Sequence, residues 1–397
     1  MLAFTFPGQG SQKPGMGEQW IAHDSWELVS EASEACGRSV EDLLLRADAD
    51  ELRQTRNSQL ATFVLSMVTL DAVERTGLAP NYVAGHSLGE YSALCASGVL
   101  SYDDAVRLVA ERGEAMQIAA DEQEGAMAAV LGLDDDLVNT ACARVDGDAW
   151  VANYNAPGQV VIAGSPEGVL LAGAEAKQLG AKKTMQLPVG GAFHTPFMAP
   201  ARDRLRKALG TVDFRAPAIP VFANVDAIPR TTAEEWQHLL ASQLCSPVQW
   251  RKTLYALDQH GASTYVELGP GTALSGMAKR TIKGCSTLSV QSPTDVDMLL
   301  TTLADTAKVN PVPGPLPADG HGEGLYITER LVVSPAAGLF TPNPDLAENS
   351  YLNVGDVVGW VSDEEVRSPF AGTVMGVMAL EGERVTARQP ITWLRTH

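Results

Sequence analysis

One short segment of the chain has the pattern of a nucleophilic serine. Residues Gly85–Gly89 read Gly-His-Ser-Leu-Gly, between an apolar strand and a helical pattern. The two glycines permit a sharp strand-to-helix turn, which presents the hydroxyl of Ser87 above the sheet. The backbone N–H of Leu88 then lies at a helix N-terminus, where it can stabilise an oxyanion. The pattern predicts covalent acyl chemistry at Ser87, with a chance match in a glycine-rich chain as the alternative.

An activated serine needs a general base, and the chain has seven histidines. His194 lies in a turn-rich segment, PVGGAFHTPFM, after a predicted strand, and is the best candidate distant from Ser87. His86 is adjacent to Ser87, so its side chain points elsewhere at a sharp turn, although it can contribute to the pocket. The alternative for His194 is a solvated loop residue.

The loop after the first predicted strand, FPGQGSQKPGMG, is a second functional segment. Gly8 and Gly10 fit a dinucleotide-binding fingerprint, but Lys13 stands where the third glycine belongs. The Gly-Lys-Ser/Thr of a phosphate-binding loop does not follow either. A loop at this place in an α/β sheet is typical of a functional site, and one of its backbone N–H groups can supply a second oxyanion donor.

Apolar strands and helical patterns alternate around these segments, which favours an α/β fold with a mainly parallel sheet. Together with the serine elbow, this predicts an α/β-hydrolase-like core. Residues 126–190 instead read as βαββαβ, which predicts an inserted ferredoxin-like subdomain. The main predicted elements of the core are strands at Leu2–Phe6, Tyr82–Ala84, Pro220–Ala223 and Thr264–Leu268, and helices at Gln59–Arg75, Gly89–Ser97 and Tyr102–Gln117.

The end of the chain predicts a separate small domain. Residues 309–324 are dense in proline and glycine, as linkers are. Beyond them VVSPAAGLF is echoed by VRSPFAGTV, and NVGDVV by LEGERV, which predicts an all-β, barrel-like domain with internal pseudo-symmetry. The predicted domains are a core of residues 1–125 and 196–308, a small subdomain of residues 126–195, a linker of residues 309–324 and a β domain of residues 325–397.

Composition excludes several classes of protein. The net charge of −19 over 397 residues predicts a surface that repels nucleic acid and anionic lipid. Five scattered cysteines without a Cys-x-x-Cys spacing argue against a disulfide framework or a zinc site, and favour buried, reduced thiols in the cytoplasm. The apolar runs stay below the roughly 20 residues of a membrane span. We therefore expect a globular protein that binds neither nucleic acid nor membrane.

Eight short motifs follow one another along residues 1–308: FPGQGSQ from Phe6, GHSLGEY from Gly85, Arg112-Gly113 with Met116, GAM from Gly125, NAPGQ from Asn155, GAFH from Gly191, PVQW from Pro247 and ELGPG from Glu267. In this combination the chain resembles the malonyl-CoA:acyl-carrier-protein transacylases of fatty-acid and polyketide synthesis. The resemblance implies malonyl-CoA and an acyl carrier protein as partners, and ping-pong kinetics without a cofactor.

The resemblance also implies roles for catalytic residues. Ser87 attacks the thioester and holds the malonyl group as an ester, while His194 is the base that activates it. The backbone N–H groups of Gln9 and Leu88 form the oxyanion hole. Gln243 matches a residue that helps to position the histidine.

Four further residues are implied to bind the substrate. Arg112 matches the arginine that binds the malonyl carboxylate, and a bidentate guanidinium suits that role. Without the resemblance, a surface arginine on a helix would be the default interpretation of Arg112. Phe193 fills space that a methyl branch would need, so we expect malonyl to be preferred over methylmalonyl. His86 and Asn155 are expected to line the same pocket.

The C-terminal half-repeats resemble a biotinyl/lipoyl-type domain, which carries its modified lysine on an exposed hairpin. The matching stretch, VSDEEV from Val361, holds no lysine, and the whole chain has none after Lys308. We therefore expect no attached biotin or lipoate. The C-terminal domain is then expected to be an interaction module, a spacer or a decayed carrier. One hypothesis is that it docks to a biotin-dependent carboxylase.

Three alternatives to the transacylase remain open at this level. A thioesterase or esterase uses the same elbow but gives the acyl group to water. A scaffold subunit would keep only a residual acyl site. The transacylase subunit of a malonate decarboxylase complex would share nearly the whole pattern.

Overall fold

The computed structural model describes residues 1–309, 329–347, 349–362, 364–386 and 389–395. Contacts between residues divide the chain into two units, Met1–Val312 and Pro313–His397. From residue 310 onward the predicted linker lies outside the described residues.

The first unit combines helices with two sheets. Its helices are α1 Glu27–Cys36, α2 Val40–Leu45, α3 Ala49–Arg53, α4 Thr55–Glu74, α5 Gly89–Ala96, α6 Tyr102–Glu122, α7 Asp135–Arg144, α8 Pro166–Gln178, α9 Ala199–Leu209, α10 Trp236–Gln243, α11 Trp250–Gln259, α12 Ala273–Thr281 and α13 Pro293–Val309. Its strands are β1 Leu2–Phe6, β2 Tyr82–Gly85, β3 Ala126–Leu131, β4 Ala149–Ala156, β5 Gln159–Gly164, β6 Lys183–Gln186, β7 Val221–Phe222, β8 Pro229–Arg230, β9 Thr264–Leu268 and β10 Ser286–Val290.

The larger sheet has the strand order β10-β9-β1-β2-β7-β8. Its first five strands are parallel, and β8 pairs antiparallel with β7 at the edge. The strands β1, β2 and β9 are almost wholly buried, as parallel strands covered on both faces are. The predicted α/β fold with a mainly parallel sheet is therefore confirmed. Because Phe6 pairs with Gly85, the loops that follow β1 and β2 leave the sheet side by side.

Two long helices pack together behind this edge of the sheet. The helix α4 is buried along most of its length, and it begins at Thr55, four residues before the predicted start. The helix α6 continues to Glu122, beyond the predicted end, and the hydroxyl of its N-cap Ser101 accepts a hydrogen bond from a backbone N–H in the first turn. A Cβ on Gly113 would lie 3.0 Å from the Cα of Arg56, so glycine lets α6 approach α4 closely.

The second sheet of this unit is antiparallel, with the order β4-β5-β3-β6. In chain order its elements are β3-α7-β4-β5-α8-β6, and the two helices pack against it around a core of alanine, valine and isoleucine. The strand β4 is tied to the segment before α11, because Tyr154 N–H donates to the carbonyl of Val248 at 2.9 Å. This contact fixes β4 beside the larger sheet.

The described part of the second unit is all-β, as predicted. Its sheets have the orders β11-β18-β16-β13 and β15-β14-β12-β17. The strands β11, β12, β13 and β14 correspond to β15, β16, β17 and β18. When each strand is replaced by its counterpart, the first order becomes the second, so the two half-repeats occupy equivalent positions. The strands are β11 Glu329–Val333, β12 Gly338–Pro342, β13 Tyr351–Leu352, β14 Val357–Val361, β15 Glu364–Arg367, β16 Gly372–Val377, β17 Arg384–Val385 and β18 Pro390–Arg395.

Repeated turns account for this pseudo-symmetry. The buried hydroxyls of Ser334 and Ser368 each donate to the carbonyl two residues ahead, at 2.6 and 2.7 Å. In the second repeated turn, the N–H groups of Asn353 and Leu380 each donate at 2.8 Å to the carboxylate three residues ahead. The sequence repeats therefore encode matching side-chain-to-backbone turns.

Candidate active site

The turn between β2 and α5 is a strained elbow. Ser87 has a φ of 54°, in the left-handed region that few residues other than glycine adopt. A Cβ on Gly85 would lie 1.8 Å from the carbonyl oxygen of Gly89, and one on Gly89 would lie 2.1 Å from that of Phe6. Glycine is required at both positions for the chain to turn this sharply against β1.

We expect Gly89→Ala to destabilise the fold and to disturb the site. Alanine stabilises a helix by up to about 1 kcal/mol relative to glycine, but forcing a methyl group against backbone typically costs about 1–3 kcal/mol or more. The clash with Phe6 should therefore prevail, and thermal unfolding should show a lower midpoint. The control is Gly276→Ala in α12, where the added Cβ meets no atom within 4 Å. A Gly89→Ala variant as stable as Gly276→Ala would contradict this account of the elbow.

Ser87 and His194 form a hydrogen-bonded pair, although 107 positions separate them in the sequence. Ser87 Oγ lies 2.8 Å from His194 Nε2, and His194 Nδ1 lies 2.8 Å from the backbone carbonyl oxygen of Gln243. Because a carbonyl can only accept, Nδ1 carries the proton and Nε2 has the free lone pair. This tautomer can take the proton of Ser87, and a carbonyl performs the orienting role that a carboxylate has in many such sites.

The surroundings of His194 keep its imidazole neutral. The side chain is only 4% exposed. Burial, and then the positive charge of Arg112, lower the pKa of His194 from 6.5 to about 3. A histidine with this pKa is unprotonated at neutral pH and is therefore available as a base.

Arg112 reaches the elbow from α6 as a buried cation, with 1% of its surface exposed. Its Nη2 donates to Ser87 Oγ at 3.2 Å and to Gln243 Oε1 at 2.8 Å. Its Nη1 donates to Gln59 Oε1 at 2.5 Å, and its Cζ lies 5.7 Å from the centre of the Tyr91 ring. Burial lowers the pKa of Arg112, yet a guanidinium remains charged in proteins. The site therefore presents a positive charge beside the nucleophile.

These groups open into a small cavity of about 110 Å³. Its wall combines polar groups at the nucleophile with apolar side chains. The lining residues are Gln9, Gln59, His86, Ser87, Leu88, Arg112, Met116, Met127, Asn153, Leu187, Val189, Phe193 and His194. Its size and lining suit a short acyl group with a negatively charged end.

The structure places His86 and Asn155 together at one side of the cavity. His86 Nε2 lies 2.9 Å from Asn155 Oδ1, and its ring meets that of Trp250 edge-on at 5.6 Å. Burial lowers the pKa of His86, which is partly offset by the hydrogen bond to Asn155. His86 lines the cavity, whereas Asn155 stands behind it and orients the imidazole. The residue of β4 that lines the cavity is Asn153, which the sequence analysis missed.

The N-terminal loop packs directly on the elbow. A Cβ on Gly8 would lie 2.6 Å from the carbonyl oxygen of His86, so glycine allows this contact. The next residue, Gln9, lines the cavity together with Leu88, the N-cap of α5. The two predicted oxyanion donors therefore belong to segments that meet at Ser87.

Comparison with known proteins covers the first unit. Residues 3–307 match the family model described as acyl transferase domain. The malonyl CoA-acyl carrier protein transacylase of Bacillus subtilis (strain 168) is 39% identical over 309 residues, which are 77% of this chain and 98% of that protein. The chain belongs to the malonyl CoA-acyl carrier protein transacylase family.

Solved structures agree with this membership of the transacylase family. The acyl-carrier-protein S-malonyltransferase of Burkholderia pseudomallei 1710b gives a TM-score of 0.73 at 39% identity, covering 76% of this chain and 99% of that one. A malonyl-transacylase in complex with a type II PKS acyl-carrier protein gives a TM-score of 0.73 at 37% identity, with coverages of 76% and 99%. The family match ends at residue 307, so the second unit lies beyond it.

Besides Asn153, the transacylase site contains three buried polar residues that the sequence analysis missed. Gln59 binds Arg112, while Glu90 and Asn224 lie behind the elbow. Each of the three has a weak signal in the amino-acid sequence. Gln59 is polar within an apolar helical pattern, Glu90 follows the elbow, and Asn224 follows the strand β7, at the edge where functional residues of parallel sheets gather.

The described residues contain no cluster of three or more histidine, cysteine or acidic side chains suited to a metal ion. Among their helices, none combines the length and apolarity needed to cross a membrane. The five cysteines are free. Cys142 is buried and the other four are partly buried, so the expectation of buried thiols holds in full only for Cys142.

Proposed function

We propose that this chain transfers a malonyl group from malonyl-CoA to the thiol of an acyl carrier protein, through an ester on Ser87. The observation that carries the proposal is the hydrogen-bonded Ser87–His194 pair with a buried arginine 3.2 Å from the serine oxygen. The family membership supports it, since this chain matches nearly the full length of the malonyl transacylases named above.

In the first half-reaction, Ser87 Oγ attacks the thioester carbonyl of malonyl-CoA while His194 Nε2 accepts its proton. The carbonyl oxygen becomes an oxyanion, which the backbone N–H groups of Gln9 and Leu88 stabilise. When the tetrahedral intermediate collapses, the carbon–sulfur bond breaks. His194 returns the proton to the departing CoA thiolate, and a malonyl ester remains on Ser87.

The second half-reaction reverses these steps with another thiol. The carrier thiol gives its proton to His194 Nε2, and its sulfur attacks the ester carbonyl. Ser87 leaves and recovers the proton from His194, so the enzyme returns to its first state without a cofactor. A carrier protein is supported as the acceptor by the relative solved in complex with one.

Arg112 is the group that we propose for the malonyl carboxylate. The carboxylate would replace the 3.2 Å contact of Nη2 with Ser87 Oγ, which also frees the serine oxygen for attack. Gln59 accepts from Nη1 and Gln243 accepts from Nη2, so the cation is preorganised. His86, held by Asn155, lines the same cavity.

Phe193 is the residue that we propose for selectivity against methylmalonyl-CoA. Its ring lines the cavity and is 6% exposed. One methyl group in a tight apolar pocket is worth about 1–3 kcal/mol. Phe193→Leu should therefore raise the ratio of methylmalonyl to malonyl kcat/KM by about tenfold, measured with both thioesters. An unchanged ratio, or a wild-type enzyme that uses both thioesters with equal kcat/KM, would exclude Phe193 as the selectivity residue.

We also propose specific fold types for the core, for the small subdomain and for the second unit. The serine elbow at a parallel sheet supports an α/β-hydrolase-like core, and the order β4-β5-β3-β6 supports a ferredoxin-like subdomain. The pseudo-symmetric sheets of the second unit support a biotinyl/lipoyl-like domain that has lost its lysine. Reduced cysteines favour a cytoplasmic protein.

The second unit is proposed to bind a protein partner, with a biotin-dependent carboxylase as the first candidate. A pull-down with the full chain and with residues 1–312 alone tests this. Association that depends on the second unit is expected. Equal association of both proteins would contradict it.

Transfer is distinguished from hydrolysis by following CoA release. We expect one equivalent of CoA per enzyme without carrier protein, and continued release once carrier protein is added. Continued release without carrier protein would instead indicate a thioesterase. Formation of malonyl-carrier protein, measured by mass, completes the test.

A further inference from the structure

Glu90 has no role in the mechanism above, yet it is fully buried directly behind the nucleophile. It lies in the first turn of α5, three residues after Ser87, and is 0% exposed. An acidic residue at this place usually lies in solvent near the helix N-terminus. Burial of a carboxylate is costly unless hydrogen bonds compensate it. The identity of those hydrogen bonds therefore indicates what Glu90 does.

On one side Glu90 is connected to Arg112 through Gln243. A guanidinium can only donate, so the atom of Gln243 that faces Arg112 is its oxygen, Oε1. The amide nitrogen then faces the other way, and Nε2 donates to Glu90 Oε2 at 2.5 Å and to the carbonyl oxygen of Ser87 at 2.8 Å. Glu90 and Arg112 thus hold the amide of Gln243 in one orientation from its two ends.

On the other side Glu90 is connected to the backbone of Ser87 through Asn224. The N–H of Ser87 donates to Asn224 Oδ1 at 2.6 Å, so the amide nitrogen of Asn224 points away from it. That nitrogen donates to Gly85 O at 2.6 Å and to Glu90 Oε1 at 3.2 Å. The backbone N–H of Asn224 also donates to Glu90 Oε1, at 2.6 Å. Both amide nitrogens therefore donate to this one carboxylate, which supports the orientation of each amide.

The arrangement favours an ionised Glu90, because both of its oxygens accept N–H groups and a carboxylate accepts such hydrogen bonds more strongly than a carboxylic acid does. Burial raises the pKa of Glu90 to about 7, opposed by the hydrogen bonds from Asn224 and Gln243 and by the charge of Arg112. In its ionised form, the carboxylate is one amide away from the guanidinium and balances the buried cation when no substrate carboxylate is bound.

We propose that Glu90 is a positioning residue of the transfer reaction, which acts through Gln243 on Arg112 and through Asn224 on the backbone of Ser87. This inference rests on the proposed function. Glu267 shows the contrasting case of a structural carboxylate. It is also 0% exposed, but it accepts from the backbone N–H groups of Leu274 and Ser275 at the start of α12, without contact to this network.

The experiment compares Glu90→Gln with Glu267→Gln in the full-length enzyme. Glutamine has nearly the same shape as glutamate but only one acceptor oxygen, so Glu90→Gln must turn a donor toward Gln243 or Asn224. We expect the kcat for malonylation of Ser87 to fall about ten- to hundredfold, because a charge-assisted hydrogen bond is lost in the reacting state. Glu267→Gln should keep kcat near wild type, even where thermal unfolding shows comparable destabilisation.

A double-mutant cycle supplies a readout that simple destabilisation would not move. If Glu90 acts in part through Gln243, Glu90→Gln should reduce kcat by a smaller factor in the background of Gln243→Ala than in wild type, because only the link through Asn224 is left to lose. Multiplying effects would contradict the proposed link. Glu90→Asp, which keeps the charge but shortens the side chain, should have a kcat between wild type and Glu90→Gln.

The proposal is overturned if the folded variants Glu90→Gln and Glu90→Asp malonylate at the wild-type rate. If only one of the two variants accumulates as folded protein, a wild-type rate in that variant overturns the proposal. Wild-type enzyme, measured in parallel, distinguishes this outcome from an error in the proposed malonyl-transfer function. A wild-type enzyme that forms no malonyl ester contradicts the proposed function, whereas equal rates in wild type and variants contradict only the role of Glu90.

Discussion

Replacement of His194 by alanine is expected to slow malonylation of Ser87 by about 10²–10⁴-fold. The variant loses the Nε2 atom that lies 2.8 Å from Ser87 Oγ, so the serine must give its proton to water. The oxyanion donors of Gln9 and Leu88 remain and should leave residual activity. Single-turnover formation of the malonyl-enzyme, followed by mass spectrometry, measures the effect.

The control for this substitution is His238→Ala. His238 is exposed on α10, the same helix whose end supplies the carbonyl of Gln243. It should leave the acylation rate within about twofold of wild type, since surface substitutions seldom disturb a structure by more than about 0.5 kcal/mol. A His194→Ala enzyme that acylates as fast as His238→Ala would exclude His194 as the base.

The protonation state of His194 gives an independent check by nuclear magnetic resonance. Its pKa is lowered from 6.5 to about 3, first by burial and then by the charge of Arg112. Because the folded-state pKa lies below the unfolded value, the folded protein binds fewer protons here between these two pH values. The imidazole signals of His194 should therefore stay those of the neutral ring from pH 8 down to pH 5. A titration midpoint near 6.5 would contradict the assigned environment.

Replacement of Arg112 by alanine is expected to remove the preference for a malonyl over an acetyl thioester. A buried guanidinium–carboxylate pair costs about 3–5 kcal/mol when one partner is removed, which corresponds to about 10²–10⁴-fold in kcat/KM. Acetyl-CoA has no carboxylate, so its kcat/KM should fall much less. The ratio of the two constants, measured by CoA release, isolates this contact from general damage to the site.

Two further variants make the comparison specific. Arg112→Lys keeps the charge but not the planar fork, so malonyl-CoA should regain only part of its advantage. Arg107→Ala removes an exposed arginine of the same helix, whose ion pairs with Asp103 and Asp104 are both 3.5 Å long. Such surface pairs contribute about 0–1 kcal/mol, so the ratio should stay at the wild-type value. Equal losses for malonyl and acetyl thioesters in Arg112→Ala would exclude a carboxylate contact.

Local sequence patterns predicted the elements that carry the chemistry. The glycines of the elbow are dictated by steric contacts with Phe6 and within the turn, so they are visible in the sequence. The parallel sheet follows from short apolar strands alternating with helices. The half-repeats of the second unit likewise encode turns made within a few residues of each other.

The polar network behind the site could not be predicted in the same way. Gln243 and Glu90 are separated by 153 positions, and Asn224 and Glu90 by 134. Glutamate, glutamine and asparagine in helices and loops are usually exposed, so their types do not indicate burial. Only the meeting of β2, β7 and α10 in the folded chain places them together. The extra length of α4 and α6 reflects packing of these helices against each other, which local propensity does not reveal.

Mass spectrometry of the enzyme after mixing with malonyl-CoA tests the central claim most directly. We predict one malonyl group per chain, located on Ser87 by peptide mapping, absent from Ser87→Ala and lost when acyl carrier protein is added. The carrier protein should gain the same group. A wild-type enzyme that remains unmodified with malonyl-CoA, or that transfers malonyl while Ser87→Ala does so equally well, would contradict the account.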